Sequence, residues 1–217
     1  MDYFLSILSP LIQGAGLTLL VFAVTLVLAL PLGLAFALVR LSRWRSVAAA
    51  VNGYIWLMRG TPLMLQMLFI YYALPFVPVI GIKLSDFPSA IVAFALNYAA
   101  YFAEIFRGGI QSIDRGQYEA AKVLGLNYSQ TMRRIVLPQV VKRVLAPVSN
   151  ETITLVKDTS LIYVLAMNDL LRVARGMVQR DFTTQPFVVA GAFYLLMTLV
   201  LTVGFARLEK KYAVYDG

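Results

Sequence analysis

The sequence predicts an all-α fold, that of a polytopic integral membrane protein with five transmembrane helices and short cytoplasmic helices in one domain, residues 1–217. The 217 residues are 60% hydrophobic with a mean hydropathy of +0.76, and a soluble domain of this length would need more polar surface. Several apolar stretches reach the roughly 20 residues that cross a hydrocarbon core about 30 Å thick. Basic residues gather between alternate stretches, as at the cytoplasmic ends of membrane spans.

Five apolar segments are candidate spans. The first contains no charged residue and ends at Arg40. The second begins with Thr61 and Pro62, and the third begins at Pro88. Proline suits the first turn of a helix, because the amide hydrogen that it lacks would have no partner within the helix there. The fourth is the least clear because it contains charges. The predicted spans are residues 11–39, 61–82, 88–106, 140–167 and 187–206.

The distribution of charge predicts the orientation of the chain. Most arginine and lysine residues follow the first, third and fifth spans, and the positive-inside rule places these segments in the cytoplasm. Five spans then put the N-terminus outside and the C-terminus in the cytoplasm. Residues 1–10 lack the basic region of a cleavable signal peptide, so we expect the first span to remain as an anchor.

A polar, basic loop of residues 112–138 separates the third and fourth spans. Its first part favours a helix, with Gly125 as a left-handed cap after the C-terminus. A second short helix is expected to begin near Ser129, and Pro138 is expected to limit its continuation. A polar segment between membrane spans indicates a partner in water.

The first loop helix carries a small apolar patch of Ala120, Val123 and Leu124, which would suit contact with another protein. The alternative is an amphipathic helix on lipid headgroups, which Arg133 and Arg134 also favour.

Motif spacing resembles that of a known family. The loop reads EAA at 119–121, three residues, Gly125, nine residues, then IVLP at 135–138, which resembles the cytoplasmic coupling loop of ATP-binding-cassette (ABC) importer permeases. Further segments resemble permeases of the polar amino acid uptake family, and the resemblance spans nearly the whole chain. These are RGTPL at 59–63 with Gln66, AEIFRGGI at 103–110, GQYEAA at 116–121 and VKDTSL at 156–161.

The resemblance implies a mechanism and a set of partners. In such importers the coupling helices insert into a groove of an ATP-binding subunit, and closure of two such subunits on ATP drives alternating access. It implies a polar contact for Glu119, close packing for Ala120 and Ala121, and the turn for Gly125. The implied partners are two ABC ATPase subunits, a second permease copy or a paralogue, an extracytoplasmic amino-acid-binding protein, the amino acid and membrane lipid. The implied location is the bacterial cytoplasmic (inner) membrane.

ATP chemistry is not expected in this chain. No glycine-containing run has the Gly-x4-Gly-Lys-Ser/Thr order of a phosphate-binding loop, so ATP and Mg are expected on the partner subunit, and the chain is predicted to be neither an enzyme nor a cofactor binder. The sequence has no histidine and no cysteine, so a metal site based on either is not expected. The net charge of +8 fits span ends better than nucleic acid.

Charges within the fourth span are the main candidates for the substrate path, because an ionisable group at mid-bilayer costs about 2.5 kcal/mol or more. Glu151 and Asp158 lie one heptad apart and share a helical face with Thr154, while Lys157 lies one step round. Such a face can meet both ends of a zwitterion, an ammonium for the carboxylate and carboxylates for the amino group. Thr159 and Ser160 can cap a second half-helix, whose exposed N-terminus would favour a carboxylate, and Ser160 is therefore a further candidate for the path.

Two structural alternatives remain for these charges. Lys157 and Asp158 can pair with each other or with neighbouring helices. Alternatively, the helix ends near Val156 and places both charges in a wet outer vestibule.

Three polar residues on other spans are further candidates for the path. Asn97 and Tyr101 lie four residues apart on the third span, and Gln66 lies on the second. Their alternative role is packing, with the polar group bonded to a neighbour. Glu104 and Arg107 are spaced for an i,i+3 ion pair or a gate near the cytoplasmic end.

The leading interpretation is therefore a membrane-spanning permease subunit of an ATP-driven importer for polar or charged amino acids. The alternative is an ATP-independent secondary transporter or channel.

Overall fold

The computed structural model describes residues 2–78 and 81–212, and this part of the chain is helical without strands, which confirms the all-α class. The α-helices are α1 (Asp2–Arg40), α2 (Arg45–Gly60), α3 (Leu63–Leu68), α4 (Asp86–Gln111), α5 (Arg115–Val123), α6 (Tyr128–Thr131), α7 (Leu137–Asp158), α8 (Leu170–Asp181) and α9 (Gln185–Tyr212). Tighter or wider helical turns extend them at Phe69–Ala73, Leu74–Phe76, Met132–Val136 and Thr159–Leu165.

Three helices in the described part are long and apolar enough to cross a membrane: α1, α4 and α9. In their most apolar windows, 67% of α4 is buried within the chain, against 22% of α1 and 6% of α9. Helix α4 is therefore the centre of the fold, and α9 presents most of its apolar surface outward.

The second and fourth predicted spans are also helical, but their helices are not among the three that are long and apolar enough to cross a membrane. The apolar helix of the second is short, Leu63–Phe76, and the fourth carries the charges of α7. The count of five spans and the single domain 1–217 stay predictions. Residues 79–80 of the second span, together with residues 1 and 213–217 of the termini, lie outside the described residues.

Helix α1 begins well before residue 11, the predicted start, and runs through Pro10 and Pro31. Proline is tolerated in long apolar helices because neighbouring groups satisfy the freed backbone. The helix crosses α4 at Gly33, where an added Cβ would lie 3.0 Å from the carbonyl oxygen of Ala99. The absent side chain thus allows the two backbones to approach closely.

The loop of residues 112–138 begins with two short helices, and each has a side-chain cap. Asp114 accepts a hydrogen bond from the Gly116 amide at 2.6 Å at the start of α5, and Gly125 follows the helix at φ +72°. Asn127 and Gln130 form a reciprocal capping box at the start of α6. The loop therefore has a defined shape before any partner binds.

The predicted end of the second loop helix at Pro138 is wrong. Helical turns continue from α6 through Met132–Val136 into α7, and Pro138 occupies the first turn of α7. The wider turns before it accommodate the proline, because the Leu137 amide donates to the Met132 carbonyl five residues back and the regular i→i−4 pattern is already interrupted there. The loop is consequently joined to the fourth predicted span by continuous helix.

The other end of α7 also differs from the sequence-based expectation. Helix α7 ends at Asp158, two residues beyond Val156, and Thr159–Leu165 follows it directly as a 3-10 helix. The Thr159 hydroxyl donates to the Val156 carbonyl at 2.8 Å rather than capping a new helix. The predicted half-helix with a free N-terminus near Ser160 is therefore wrong.

Candidate functional site

A cavity of about 660 Å³ lies where the α2–α3 connection, α4 and α7 meet. This volume falls in the range of about 300–1,000 Å³ that is typical of small-molecule sites. Helix α7 contributes two carboxylates to it, Glu151 and Asp158, and Arg59 from α2 is the basic residue among its described lining. The other lining residues are Gly60, Thr61, Pro62, Leu63, Met64, Asn97, Tyr98, Tyr101, Thr154 and Leu161.

The two carboxylates differ in how they are held. The Tyr98 hydroxyl donates to Asp158 Oδ2 at 2.7 Å, and the Tyr98 side chain is buried and stacked on Phe94. Asp158 is therefore fixed by a hydroxyl that is itself fixed by packing. Within the described residues, Glu151 is half-buried and forms no ion pair within 4 Å of a basic side chain.

Thr154 lies between these carboxylates on the cavity face of α7, as the helical spacing predicts, whereas Lys157 and Ser160 do not line the cavity. Lys157 is exposed. One residue corresponds to 100° on a helix, and this step turns Lys157 away from the face that Asp158 occupies. This cavity therefore does not include Lys157, and a role of its ammonium on the substrate path stays a prediction. Structural pairing with Asp158 is equally absent among the described contacts.

Gln66 and Asn97 hold the break between α2 and α3. Pro62 has no amide hydrogen, so the carbonyl of Met58 lacks the donor that would continue the helix. The side-chain amides of Asn97 and Gln66 donate to this carbonyl at 3.0 and 2.9 Å instead. Asn97 also donates to Gln66 Oε1 at 3.0 Å.

These bonds occupy most of the polar capacity of both residues. Asn97 lines the cavity but is only 4% exposed, and Gln66 lines a neighbouring apolar cavity. Their geometry supports the packing alternative, in which they shape the cavity wall rather than contact a ligand. Tyr101 does line the cavity and is half-buried.

Next to the cavity, the Glu104 carboxylate forms ion pairs with arginines from three helices. Arg107 donates to Glu104 Oε2 from Nε at 3.0 Å and from Nη2 at 2.7 Å, which confirms the predicted i,i+3 pair. Arg40, at the end of α1, donates to Oε1. Arg59 is the third, with its Nη1 3.6 Å from Oε1. This cluster joins the ends of α1, α2 and α4.

The cluster borders a second cavity, of about 480 Å³. This second cavity shares Arg59, Gly60 and Tyr101 with the first. The guanidinium carbon of Arg59 lies 5.3 Å from the centroid of the Tyr101 ring, within cation–π range. Arg59 and Tyr101 thus form the wall between an acidic cavity and a basic one.

The coupling-loop residues fall into two groups by exposure. Glu119, Ala120 and Gly125 are exposed, whereas Ala121 is completely buried. Ala121 therefore packs within the loop itself, on the inward face of α5, and its role in coupling stays a prediction.

The exposed surface of this basic loop includes an apolar patch. Val123 is 88% exposed and Leu124 75%, so the predicted patch is present, and Tyr128 at 77% extends it. Exposed apolar patches mark contacts with proteins or membranes.

Sequence reasoning did not assign Arg59 or Tyr98 to the substrate path. Arg59 was visible only as the first letter of the RGTPL motif, and its position depends on the break that follows it. Tyr98 reads as an aromatic packing residue, and only the fold shows that its hydroxyl meets Asp158.

Comparison with known proteins places these features in a family. Residues 29–214 match the family described as binding-protein-dependent transport system inner membrane component. The chain is 35% identical over 203 residues to the arginine transport system permease protein ArtQ of Bacillus subtilis, covering 93% of this chain and 91% of that protein. It is 36% identical to the glutamine transport system permease protein GlnP of Escherichia coli K12, over 93% and 92% of the two chains.

A solved structure gives the same result. The structure of an amino acid ABC transporter with histidines superposes with a TM-score of 0.87 at 31% identity, covering 96% of this chain and 97% of that one. These matches confirm the resemblance that the motifs carried.

Proposed function

Since the chain belongs to the family of binding-protein-dependent transport system inner membrane components, we propose that it is the permease subunit of an ATP-driven importer for polar or charged amino acids. The observation that carries the substrate class is the cavity with two carboxylates, Glu151 and Asp158, where the α2–α3 connection, α4 and α7 meet. The names of the relatives, which refer to arginine and glutamine transport, support the same class.

The carboxylates suit the amino group of the cargo, or a cationic side chain. Charges at membrane depth are costly unless they are paired or wet, and a bound ammonium supplies the missing partner. Asp158 presents an acceptor fixed by Tyr98, while Glu151 keeps its hydrogen-bonding capacity for a ligand. Two carboxylates also allow one to meet the amino group and the other a cationic side chain.

The coupling loop, residues 112–138, transmits the movement of the ATPase subunits to the membrane helices. Its exposed patch of Val123, Leu124 and Tyr128 inserts into a groove of a partner ABC ATPase, with Glu119, Ala120 and Gly125 at the contact. Two ATPase subunits bind ATP and Mg, and their closure drives alternating access in the permease. Support comes from the continuous helix between α6 and α7, which links the loop mechanically to the carboxylates.

The remaining parts of the assembly follow from the same family. A second permease copy or a paralogue completes the path, and an extracytoplasmic amino-acid-binding protein delivers the cargo. In the inner membrane the N-terminus lies outside and the C-terminus in the cytoplasm. The contact between Arg40 and Glu104 supports this orientation, because it brings the basic ends of α1 and α4 to one side, next to the coupling loop.

The test is amino-acid-stimulated ATPase activity of the reconstituted complex, containing the permease, its ATPase and its binding protein. We expect one or a few of the twenty amino acids to stimulate hydrolysis. Glu151→Gln and Asp158→Asn should each raise the concentration for half-stimulation roughly 10- to 100-fold, because each removes a charge-assisted hydrogen bond.

Glu209→Gln on α9 is the matched control, since this carboxylate lies outside the cavity and should leave stimulation unchanged. Unchanged stimulation in both cavity variants would refute recognition of cargo by these carboxylates. Transport that persists without ATP and collapses with an ion gradient would instead favour the secondary transporter.

A further inference from the structure

The acidic cavity has one basic side chain in its described lining, and it comes from a helix other than α7. Arg59 is the penultimate residue of α2, directly before the break at Thr61 and Pro62. The break ends the helix there and leaves Arg59 at the boundary between the two cavities. Its placement is thus a consequence of the break that Gln66 and Asn97 stabilise.

Arg59 is the arginine least committed to Glu104. Arg40 already occupies Oε1, and Arg107 occupies Oε2 with two hydrogen bonds. At 3.6 Å, Arg59 Nη1 lies beyond ordinary hydrogen-bond distance of the same carboxylate, and its side chain is 43% exposed. Most of its five N–H donors therefore remain available for a ligand.

Tyr101 fixes the orientation of this guanidinium. The ring lies on the cavity wall, 5.3 Å from the guanidinium carbon, and restrains the side chain without using its N–H groups. A restrained planar guanidinium with free donors is the group that binds a carboxylate through two parallel hydrogen bonds.

We propose that Arg59 binds the α-carboxylate of the amino acid in this cavity, while Glu151 and Asp158 take its amino group or cationic side chain. The proposal rests on the proposed function and assigns a binding residue to the carboxylate of the zwitterion. The sequence predicts Lys157 for this carboxylate. Lys157 is exposed and outside the cavity, whereas Arg59 lines it. Opposite charges from two different helices, α2 and α7, then orient the cargo.

The experiment compares an amino acid with the amine that lacks only its carboxylate. The detergent-purified complex of permease and ATPase, without binding protein, is tested for binding of labelled L-arginine and for competition by agmatine. If the wild-type complex binds L-glutamine instead, the pair is L-glutamine and 4-aminobutanamide. The quantity measured is the ratio of the two affinities, which isolates the contribution of the carboxylate.

In Arg59→Gln we expect the affinity for the amino acid, divided by the affinity for the matching amine, to fall roughly 10- to 100-fold. This is the range of a charge-assisted pair. Arg59→Lys should show an intermediate fall, because it keeps the charge and loses the planar fork. It also keeps the proposal testable if the glutamine variant fails to assemble.

Two matched controls separate this role from its alternatives. Arg107→Gln removes an arginine of the same Glu104 cluster that does not line the acidic cavity, and Lys157→Gln removes the exposed lysine; both should keep the wild-type ratio. An unchanged ratio in both Arg59 variants overturns the proposal, as does an equal fall in Arg107→Gln or in Lys157→Gln. A wild-type complex that binds no amino acid overturns the proposed function of the cavity itself.

Discussion

Replacing Gly33 by alanine tests the packing that holds the bundle around α4. The added Cβ would lie 2.7 Å from Phe102 Cβ, 3.0 Å from the Ala99 oxygen and 3.1 Å from the Ala103 nitrogen. These atoms belong to the backbone or lie next to it, so no flexible side chain can move aside. Helix α1 must shift away from α4 along the most extensive helix contact of the chain.

The magnitude follows from a comparison with Gly16→Ala on the same helix. A Cβ at residue 16 has no heavy atom within 4 Å. Both changes gain the helix preference of alanine over glycine, about 1 kcal/mol, and this gain cancels in the comparison. The remaining difference is the cost of overpacking, roughly 1–3 kcal/mol.

The assay is thermal unfolding of the detergent-purified complex, followed by size-exclusion chromatography after heating. For a chain of this size 1 kcal/mol shifts the midpoint by roughly 2–4 °C, so Gly33→Ala should melt roughly 2–12 °C below Gly16→Ala. Equal midpoints for the two variants would contradict the close approach of α1 and α4 at this position.

Three further predictions follow from the cavity, the loop and the outer helix. Tyr98→Phe removes the hydroxyl that holds a cavity carboxylate, and the concentration for half-stimulation of ATPase should rise about tenfold while assembly is unchanged. Leu124→Asp should abolish co-purification with the ATPase at wild-type thermal stability, whereas the buried Ala121→Leu should lower thermal stability. The hydrogen bonds from Arg180 lower the pKa of Asp181 to about 2. A carboxyl whose pKa is lowered on folding stabilises the folded protein at pH values above its unfolded pKa of about 3.9. Wild type should therefore melt above Arg180→Gln by a constant difference from about pH 8 to about pH 5. This difference should shrink as the pH falls toward 2.

Much of this fold could be predicted from the sequence, because long apolar stretches and capping residues act locally. The three long apolar helices and the left-handed Gly125 follow from such local signals. The error at Pro138 has a different origin. Proline interrupts the regular hydrogen-bond pattern of an α-helix, but the wider turns at Met132–Val136 let the helix continue past Pro138, and no local signal in the sequence indicates such turns.

The candidate site was predictable along one helix and not between helices. Helical spacing placed Glu151, Thr154 and Asp158 on one face, and the structure places them together in the cavity. The sequence could not show that Arg59 from α2 would supply the opposite charge, because this requires the break at Pro62 and the packing of α2 on α4. Spacing also put Lys157 one step round α7 from that face, and the structure leaves it out of the cavity lining.

The most direct test of the account is uptake of a labelled amino acid into proteoliposomes that contain the complete complex. We predict uptake that requires ATP on the cytoplasmic side of the complex and survives dissipation of ion gradients. It should be lost in the double variant Glu151→Gln, Asp158→Asn, even though this variant still assembles with its ATPase. Uptake at the wild-type rate in the double variant, or uptake that continues without ATP, would contradict the claim that this cavity carries the cargo of an ATP-driven importer.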